Sequence, residues 1–157
     1  MIIIRDANLG DLATIVDFNQ RLAQETESKV LDPAILERGV ACALADPDRL
    51  RYWMAFESDD ASQAPLGMAA ITKEWSDWRC GHIWWLQSVY VRQDSRGRGI
   101  FKSLHHHIRS QALADPETIG LRLYVEDNND RAQTVYRNLG LAPGGYQVYQ
   151  ELWIPKT

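Results

Sequence analysis

The run from Arg92 to Lys102 combines features that favour binding of a small polyanion. It reads RQDSRGRGIFK, and four of its eleven residues are Arg or Lys in a chain whose formal net charge is -4. It follows a strand-like run from Ser88 to Val91 and leads into a predicted helix. Glycines at such a turn let the backbone approach a ligand, and the free N–H groups of a new helix point towards it. The pattern therefore predicts a phosphate-binding loop.

Two common phosphate motifs are excluded by spacing. The dinucleotide fingerprint needs G-x-G-x-x-G, and after Gly97 and Gly99 its third glycine position holds Lys102. The mononucleotide loop needs Gly directly before Lys-Ser, and Phe101 stands there instead.

The stretch resembles the acetyl-CoA loop of the GNAT superfamily of N-acetyltransferases, whose signature is Q/R-x-x-G-x-G/A at the end of a β-strand. Arg96, Gly99 and the strand context match, whereas Phe101 replaces the usual Gly or Ala and is expected to crowd the first helical turn. The resemblance implies acetyl-CoA as cosubstrate and no metal. Backbone groups of the strand would hold the pantetheine arm, and N–H groups of the loop would hold the pyrophosphate. The implied binding residues are Val89, Val91, Arg96, Gly97, Arg98, Gly99, Ile100, Phe101, Lys102 and Asn129.

A second segment also resembles this family. Asn129, Ala132, Tyr136 and Gly140 match its N-x-x-A-x-x-x-Y-x-x-x-G-F pattern, with Leu141 in place of Phe. The resemblance implies that Tyr136 protonates the departing CoA thiolate. The residues alone allow a second interpretation, in which Tyr136 belongs to an apolar helix stripe and Asn129 is only a helix cap.

The sequence leaves the identity of the general base open. An amine with a pKa near ~10 must lose a proton before it attacks. The strand position where many relatives carry Glu is Gln87, which accepts no proton. Glu25, Glu27, Glu126 and a water chain are the remaining candidates. The acidic joint at Glu25 to Glu27 also suggests a cationic acceptor, although a solvated loop is the simpler interpretation.

The sequence therefore predicts an acetyl-CoA-dependent N-acetyltransferase that acts on a primary amine, either in a small molecule or in a peptide. One alternative is a non-catalytic domain that binds acyl-CoA as a sensor or partner. Another is transfer of a longer acyl group, or transfer to a hydroxyl.

Composition limits the class of protein. A chain of 157 residues with 45% hydrophobic and 24% charged residues is typical of one globular domain, here residues 1–157. Its acidic balance argues against nucleic acid or a membrane surface as partner. No apolar run approaches the ~20 residues of a membrane span, so a cytoplasmic location is expected. A homodimer is possible. Cys42 and Cys80 are expected to be small buried or half-buried residues.

Periodicity predicts the order strand, two helices, three strands, helix, strand, helix and a final strand or two. This order indicates an α/β fold of the GNAT type, with a central mixed β-sheet of six to seven strands flanked by about four helices. The last strands are expected between Tyr146 and Trp153, after the turn at Pro143 to Gly145.

Two side-chain clusters need separate interpretation. His105, His106 and His107 are consecutive on a helix and point about 100° apart, so they are expected to form solvated helix surface and not a metal site. Trp84 and Trp85 are neighbours on a strand and must face opposite sides of the sheet. One is expected in the core, and the other is a candidate wall of an acceptor pocket.

Overall fold

A computed structural model describes residues 2–58 and 63–153. Contacts divide the chain into two compact units, Met1–Tyr124 and Val125–Thr157. The elements are β1 (Ile3–Asp6), α1 (Leu12–Glu27), α2 (Pro33–Ala45), β2 (Arg51–Phe56), β3 (Gly67–Ser76), β4 (Gly81–Val91), α3 (Ile100–Ala114), β5 (Thr118–Leu123) and α4 (Asp130–Asn138). Short 3₁₀ turns, Leu9–Asp11 and Gln93–Ser95, precede α1 and follow β4. None of the helices in the described ranges is long and apolar enough to cross a membrane.

The N-terminal unit is built on one mixed sheet with strand order β1-β2-β3-β4-β5. The first four strands are antiparallel to their neighbours, whereas β4 and β5 are parallel. Parallel neighbours need a crossover connection, which α3 supplies. The predicted mixed sheet is confirmed.

Helices cover both faces of this sheet, because alternate residues of each strand point to opposite sides. One face forms the α3-side core, in which Trp53, Ala69, Ile71, Trp84 and Leu86 meet Ile100, Leu104, Ile108 and Ala112. The other face forms the helix-pair core, in which Tyr52, Met54, Met68, Ala70 and Tyr90 meet Ile15, Phe18, Val40 and Ala43 from α1 and α2.

Local capping signals account for where the helices begin. The Asp32 carboxylate accepts from the backbone N–H of Ile35 at 2.9 Å, and Pro33 occupies the first position of α2. Asn8 accepts from the N–H of Gly10 at 2.8 Å and starts the 3₁₀ turn that leads into α1. Asp and Asn side chains accept from free N–H groups at a helix start, and Pro has no N–H that needs a partner at the first position.

The prediction of six to seven strands is wrong, because the described residues contain five. The stretch from Tyr146 to Trp153 has alternating strand-like composition but forms no ladder in the part of the chain that is described. Its large side chains are exposed, with Tyr149 at 89% and Trp153 at 85%. Alternation gives a segment two faces, but a strand also needs a backbone partner.

Two predictions about side-chain burial are also wrong. His105 is 2% exposed, since α3 lies flat on the sheet and its buried stripe is wide enough to include the residue beside Leu104. Of the three histidines, His106 is exposed and His107 is half-buried. Cys42 and Cys80 are both exposed free thiols. Cys80 lies in the turn between β3 and β4 with φ of 50°, so turn geometry decides its position.

Candidate active site

A β-bulge in β4 determines which side chains reach the predicted site. Ala69 pairs with Val89 but Ile71 pairs with Leu86, so two steps along β3 oppose three along β4. The extra residue lies at Gln87 and Ser88, between these pairs. A bulge reverses the alternation of faces beyond it. Leu86 accordingly packs in the α3-side core, whereas Tyr90, four residues later, packs in the helix-pair core.

The same end of β4 has an open backbone edge. The last pair between β4 and β5 is Leu86 with Leu123, and β4 continues to Val91. The N–H of Arg92 donates to the carbonyl of Leu66 in the segment before β3, at 3.0 Å. Because backbone groups alternate in direction, the N–H and C=O groups of Val89 and Val91 point away from β3. They face the side on which β5 has already ended.

The loop after β4 has the backbone geometry that the sequence predicts for phosphate binding. Gly97 and Gly99 both have φ of 78°, a conformation that other residues rarely adopt. Gly99 is the N-cap residue of α3, and no described side chain caps that helix. The first N–H groups of α3, from Ile100 to Lys102, have no partner within the helix and carry the positive end of its dipole.

Phe101, the departure from the family signature, does not fill this loop. Its side chain is partly buried against the α3-side core, and its ring lies 6.2 Å from that of His105. The Phe101 side chain therefore takes up space next to the α3-side core and not in the loop.

The basic side chains of the loop are largely engaged. Arg92 pairs with Asp94, Arg98 pairs with Glu57, and Arg96 pairs with Glu25. Lys102 is exposed and forms no ion pair with any described residue. Much of the loop's capacity to hold an anion thus comes from backbone N–H groups.

Arg96, Glu25 and Tyr90 form a connected network that links α1 to the end of β4. The Arg96 guanidinium donates through Nη2 to Glu25 Oε2 and through Nε to the carbonyl of Val91 at 3.0 Å. The Tyr90 hydroxyl donates to Glu25 Oε1 at 3.0 Å. Desolvation opposes the effect, but hydrogen bonds from Arg96 and Tyr90 lower the pKa of Glu25. Desolvation and the neighbouring Glu25 raise the pKa of Tyr90.

This network corrects the expectation of a solvated loop from Glu25 to Lys29. Helix α1 continues to Glu27, and the Glu25 side chain is only 26% exposed. Glu27 is paired with Lys29 near the helix end instead. The sequence places Tyr90 among the aromatic residues expected near the acceptor but does not predict its bond to Glu25, since only the bulge brings it to the α1 side.

The two tryptophans of β4 lie on opposite faces, as predicted. Trp84 is 3% exposed and belongs to the α3-side core. The indole N–H of Trp85 donates to Glu74 at 2.7 Å, and its ring lies 4.4 Å from that of Tyr124. Trp85 thus adjoins a polar and aromatic surface, whose role as an acceptor wall stays a prediction.

The C-terminal unit contains the other two predicted site residues. Asn129 caps α4 by accepting from the N–H of Ala132 at 3.0 Å, and Gly140 after the helix has φ of 90°. Tyr136 is partly buried on α4, and desolvation raises the pKa of its phenol. The capping role of Asn129 is confirmed, whereas its contact with acetyl-CoA and the acid role of Tyr136 stay predictions. Among the described residues, no cluster of three His, Cys, Asp or Glu side chains suits a metal ion.

An open strand edge beside an uncapped helix N-terminus suits an extended ligand that carries phosphate. The family model for the acetyltransferase (GNAT) family matches residues 13–141, and the chain belongs to this family of acetyltransferases. The comparison with curated proteins gave no match.

Solved structures agree with this assignment. A possible acetyltransferase from Clostridium difficile 630 is 38% identical, with 98% of this chain and 99% of that chain covered and a TM-score of 0.88. A predicted acetyltransferase from Clostridium acetobutylicum, solved with acetyl-CoA, is 19% identical over 96% of each chain with a TM-score of 0.75. An aminoglycoside N-acetyltransferase in complex with CoA is 16% identical, covering 98% of this chain and 96% of that chain, with a TM-score of 0.77. The last two likenesses show a shared fold.

Proposed function

We propose that this protein transfers the acetyl group of acetyl-CoA to a primary amine by direct attack. The observation that carries the proposal is the open edge of β4 next to the N-terminus of α3. The pantetheine arm contains two amides, and it would pair as an added strand with the outward-facing N–H and C=O of Val89 and the N–H of Val91. The pyrophosphate would lie against the N–H groups from Arg98 to Lys102, with Gly97 and Gly99 permitting close approach.

The neutral amine nitrogen forms a bond to the thioester carbonyl carbon, and the bond from that carbon to sulfur breaks. Tyr136 gives its phenolic proton to the sulfur, and a base or water takes the extra proton of the amine. Desolvation raises the pKa of Tyr136, so its phenol carries the proton at neutral pH, as an ordinary tyrosine also does. Asn129 at the start of the same helix would contact the CoA arm.

Of the four candidates for the base, Glu25 is the weakest. It accepts hydrogen bonds from Arg96 and Tyr90, and its lowered pKa makes it a poorer proton acceptor. Glu27, Glu126 and a water chain stay open. The acceptor would be an amine of a small molecule or of a peptide, and a cytoplasmic setting with no nucleic acid or membrane partner would suit it.

The test is release of free CoA thiol from acetyl-CoA with a broad panel of amines, with mass spectrometry of the acetylated product. We expect amine-dependent release, and Tyr136→Phe should lower kcat roughly 100-fold while acetyl-CoA still binds. Tyr149→Phe is the matched control, since this tyrosine of the same unit is 89% exposed.

Other outcomes would decide against parts of the proposal. Binding of acetyl-CoA without release for any acceptor would favour a non-catalytic sensor. Faster turnover with longer acyl-CoA thioesters would favour a different donor, and an ester product would identify a hydroxyl acceptor. Unchanged kcat in Tyr136→Phe would remove Tyr136 from the mechanism.

A further inference from the structure

Glu25 lies at the centre of the network described above, far in sequence from the loop that it contacts. Its two carboxylate oxygens have different partners, Arg96 on one side and the Tyr90 hydroxyl on the other. The rings of Tyr90 and Phe18 are 5.0 Å apart, which fixes the phenol against α1. Both partners of the Glu25 carboxylate are therefore themselves fixed by further contacts.

Arg96 transmits this order to the binding loop. Its guanidinium carbon lies 5.7 Å from the centroid of the Tyr90 ring, and its Nε donates to the Val91 carbonyl. Arg96 directly precedes Gly97, where the backbone turns into the loop. One side chain thus joins the last residue of β4 to the entrance of the loop, and Glu25 supplies the charge that fixes its direction.

The hydrogen bond from Arg96 to the Val91 carbonyl also changes which backbone groups of the β4 edge are available to a ligand. The Val91 carbonyl is on the open side of β4, where it would otherwise compete for an amide of a ligand. With Arg96 bound to it, the edge presents the N–H of Val91 and both backbone groups of Val89. This fixes the register at which an amide-bearing arm is able to pair with the strand.

We propose that Glu25 is a positioning residue for acetyl-CoA, which holds Arg96 so that the β4 edge and the phosphate loop keep their binding geometry. The inference rests on the proposed use of acetyl-CoA. In this role Glu25 neither removes a proton nor recognises the acceptor. Helix α1, which carries Glu25, is then a determinant of the affinity for acetyl-CoA.

The experiment is isothermal titration of acetyl-CoA into the full-length protein and its Glu25→Gln variant, without any acceptor. The amide keeps an acceptor for Tyr90 but loses the charge that holds Arg96, so the Kd should rise roughly threefold to tenfold. Asp17→Asn is the matched control, because it removes another carboxylate partner of an arginine from α1, at an exposed site. Its Kd should equal that of the native protein.

Two further variants separate positioning from other roles. Tyr90→Phe removes one of the two groups that hold Glu25 but keeps the Arg96–Glu25 pair, so its Kd should rise by less than that of Glu25→Gln. If Glu25→Gln does not fold, Glu25→Asp keeps the charge on a shorter side chain and should also weaken acetyl-CoA binding.

The outcomes are distinct. A native protein that fails to bind acetyl-CoA would overturn the proposed function itself. Binding by the native protein with an equal Kd in the Glu25 variants would overturn only the positioning role. With an amine that turns over, KM for acetyl-CoA should rise while kcat at saturation stays within about twofold; a loss of kcat without a change in Kd would assign Glu25 to proton removal and would also contradict the proposal.

Discussion

His105 is a buried imidazole on α3, and its protonation is coupled to folding. Its Nδ1 atom has no hydrogen-bond partner among the described residues. Desolvation, together with the positive charges of His106 and Arg109, lowers the pKa of His105. Since the unfolded chain then binds more protons, the free energy of unfolding should fall as the pH drops below about 6.5. Desolvation lowers the pKa of His107 as well, so both residues act in the same direction.

We expect His105→Leu to reduce this pH dependence. The substitution removes an unsatisfied buried nitrogen, so the variant should be about 1 kcal/mol more stable at pH 7.5. Its stability should fall less than that of the native protein between pH 7.5 and 5.5. Urea unfolding at both pH values measures the effect, with the exposed His106→Gln as control. An unchanged pH slope in His105→Leu would show that other groups cause it.

At the scale of elements, the turn from β4 into α3 depends on backbone conformation more than on side chains. Gly99 has φ of 78°, and a Cβ added there would meet no atom within 4 Å. The cost of a side chain at this position therefore comes from the left-handed backbone and not from a clash. Gly39 in α2 is equally open but has no positive φ.

These two glycines form a matched pair of substitutions. Gly99→Ala should destabilise the protein by about 1 kcal/mol and weaken acetyl-CoA binding, because the loop must leave its conformation. Gly39→Ala should stabilise it by up to about 1 kcal/mol, since alanine favours a helix interior. Chemical denaturation and acetyl-CoA titration measure both effects. Equal acetyl-CoA affinity in the two variants would argue against the predicted role of the loop.

The edge of β4 permits a second test at this scale. Val91→Pro removes an N–H that points away from β3, so the ladder should survive the change. Acetyl-CoA affinity should fall by roughly tenfold if this N–H pairs with the pantetheine arm. Circular dichroism and thermal unfolding check the fold, and titration measures affinity. Native affinity in a folded Val91→Pro protein would exclude the predicted contact.

The features that the sequence predicts correctly are those set by neighbouring residues, and the features that it does not predict depend on residues far apart in the chain. Caps at Asn8, Asp32 and Asn129 act within three residues, so they are readable from local sequence. The bulge at Gln87 and Ser88 depends on pairing with β3, and no residue type in this stretch indicates it. The bond between Glu25 and Arg96 joins residues 71 positions apart. The prediction of final strands between Tyr146 and Trp153 is wrong for the same reason, since a β-strand forms only when a second strand pairs with it.

For the whole molecule, ligand binding and stability are linked. A ligand that binds the folded state at 100 times its Kd adds about 2.7 kcal/mol to the free energy of unfolding. Acetyl-CoA should therefore raise the melting temperature in a concentration-dependent way. NADH should cause no comparable shift, because the loop lacks the third glycine of the dinucleotide motif. Differential scanning fluorimetry measures both, and the reverse ranking of the two ligands would contradict the assignment of the site.

The bulge in β4 has a consequence for how this chain tolerates changes in length. It separates a half-strand whose even-numbered residues face α3 from one whose even-numbered residues face α1 and α2. Deleting a single residue at Gln87 or Ser88 would bring the two halves into the same phase. Tyr90 would still face Glu25, because Val89 and Tyr90 would keep their pairs with Ala69 and Met68 of β3. The bulge thus contains one residue more than the pairing with β3 requires. Losing that residue keeps the side-chain faces of the site, whereas the same loss in a strand without a bulge would reverse every side chain beyond it.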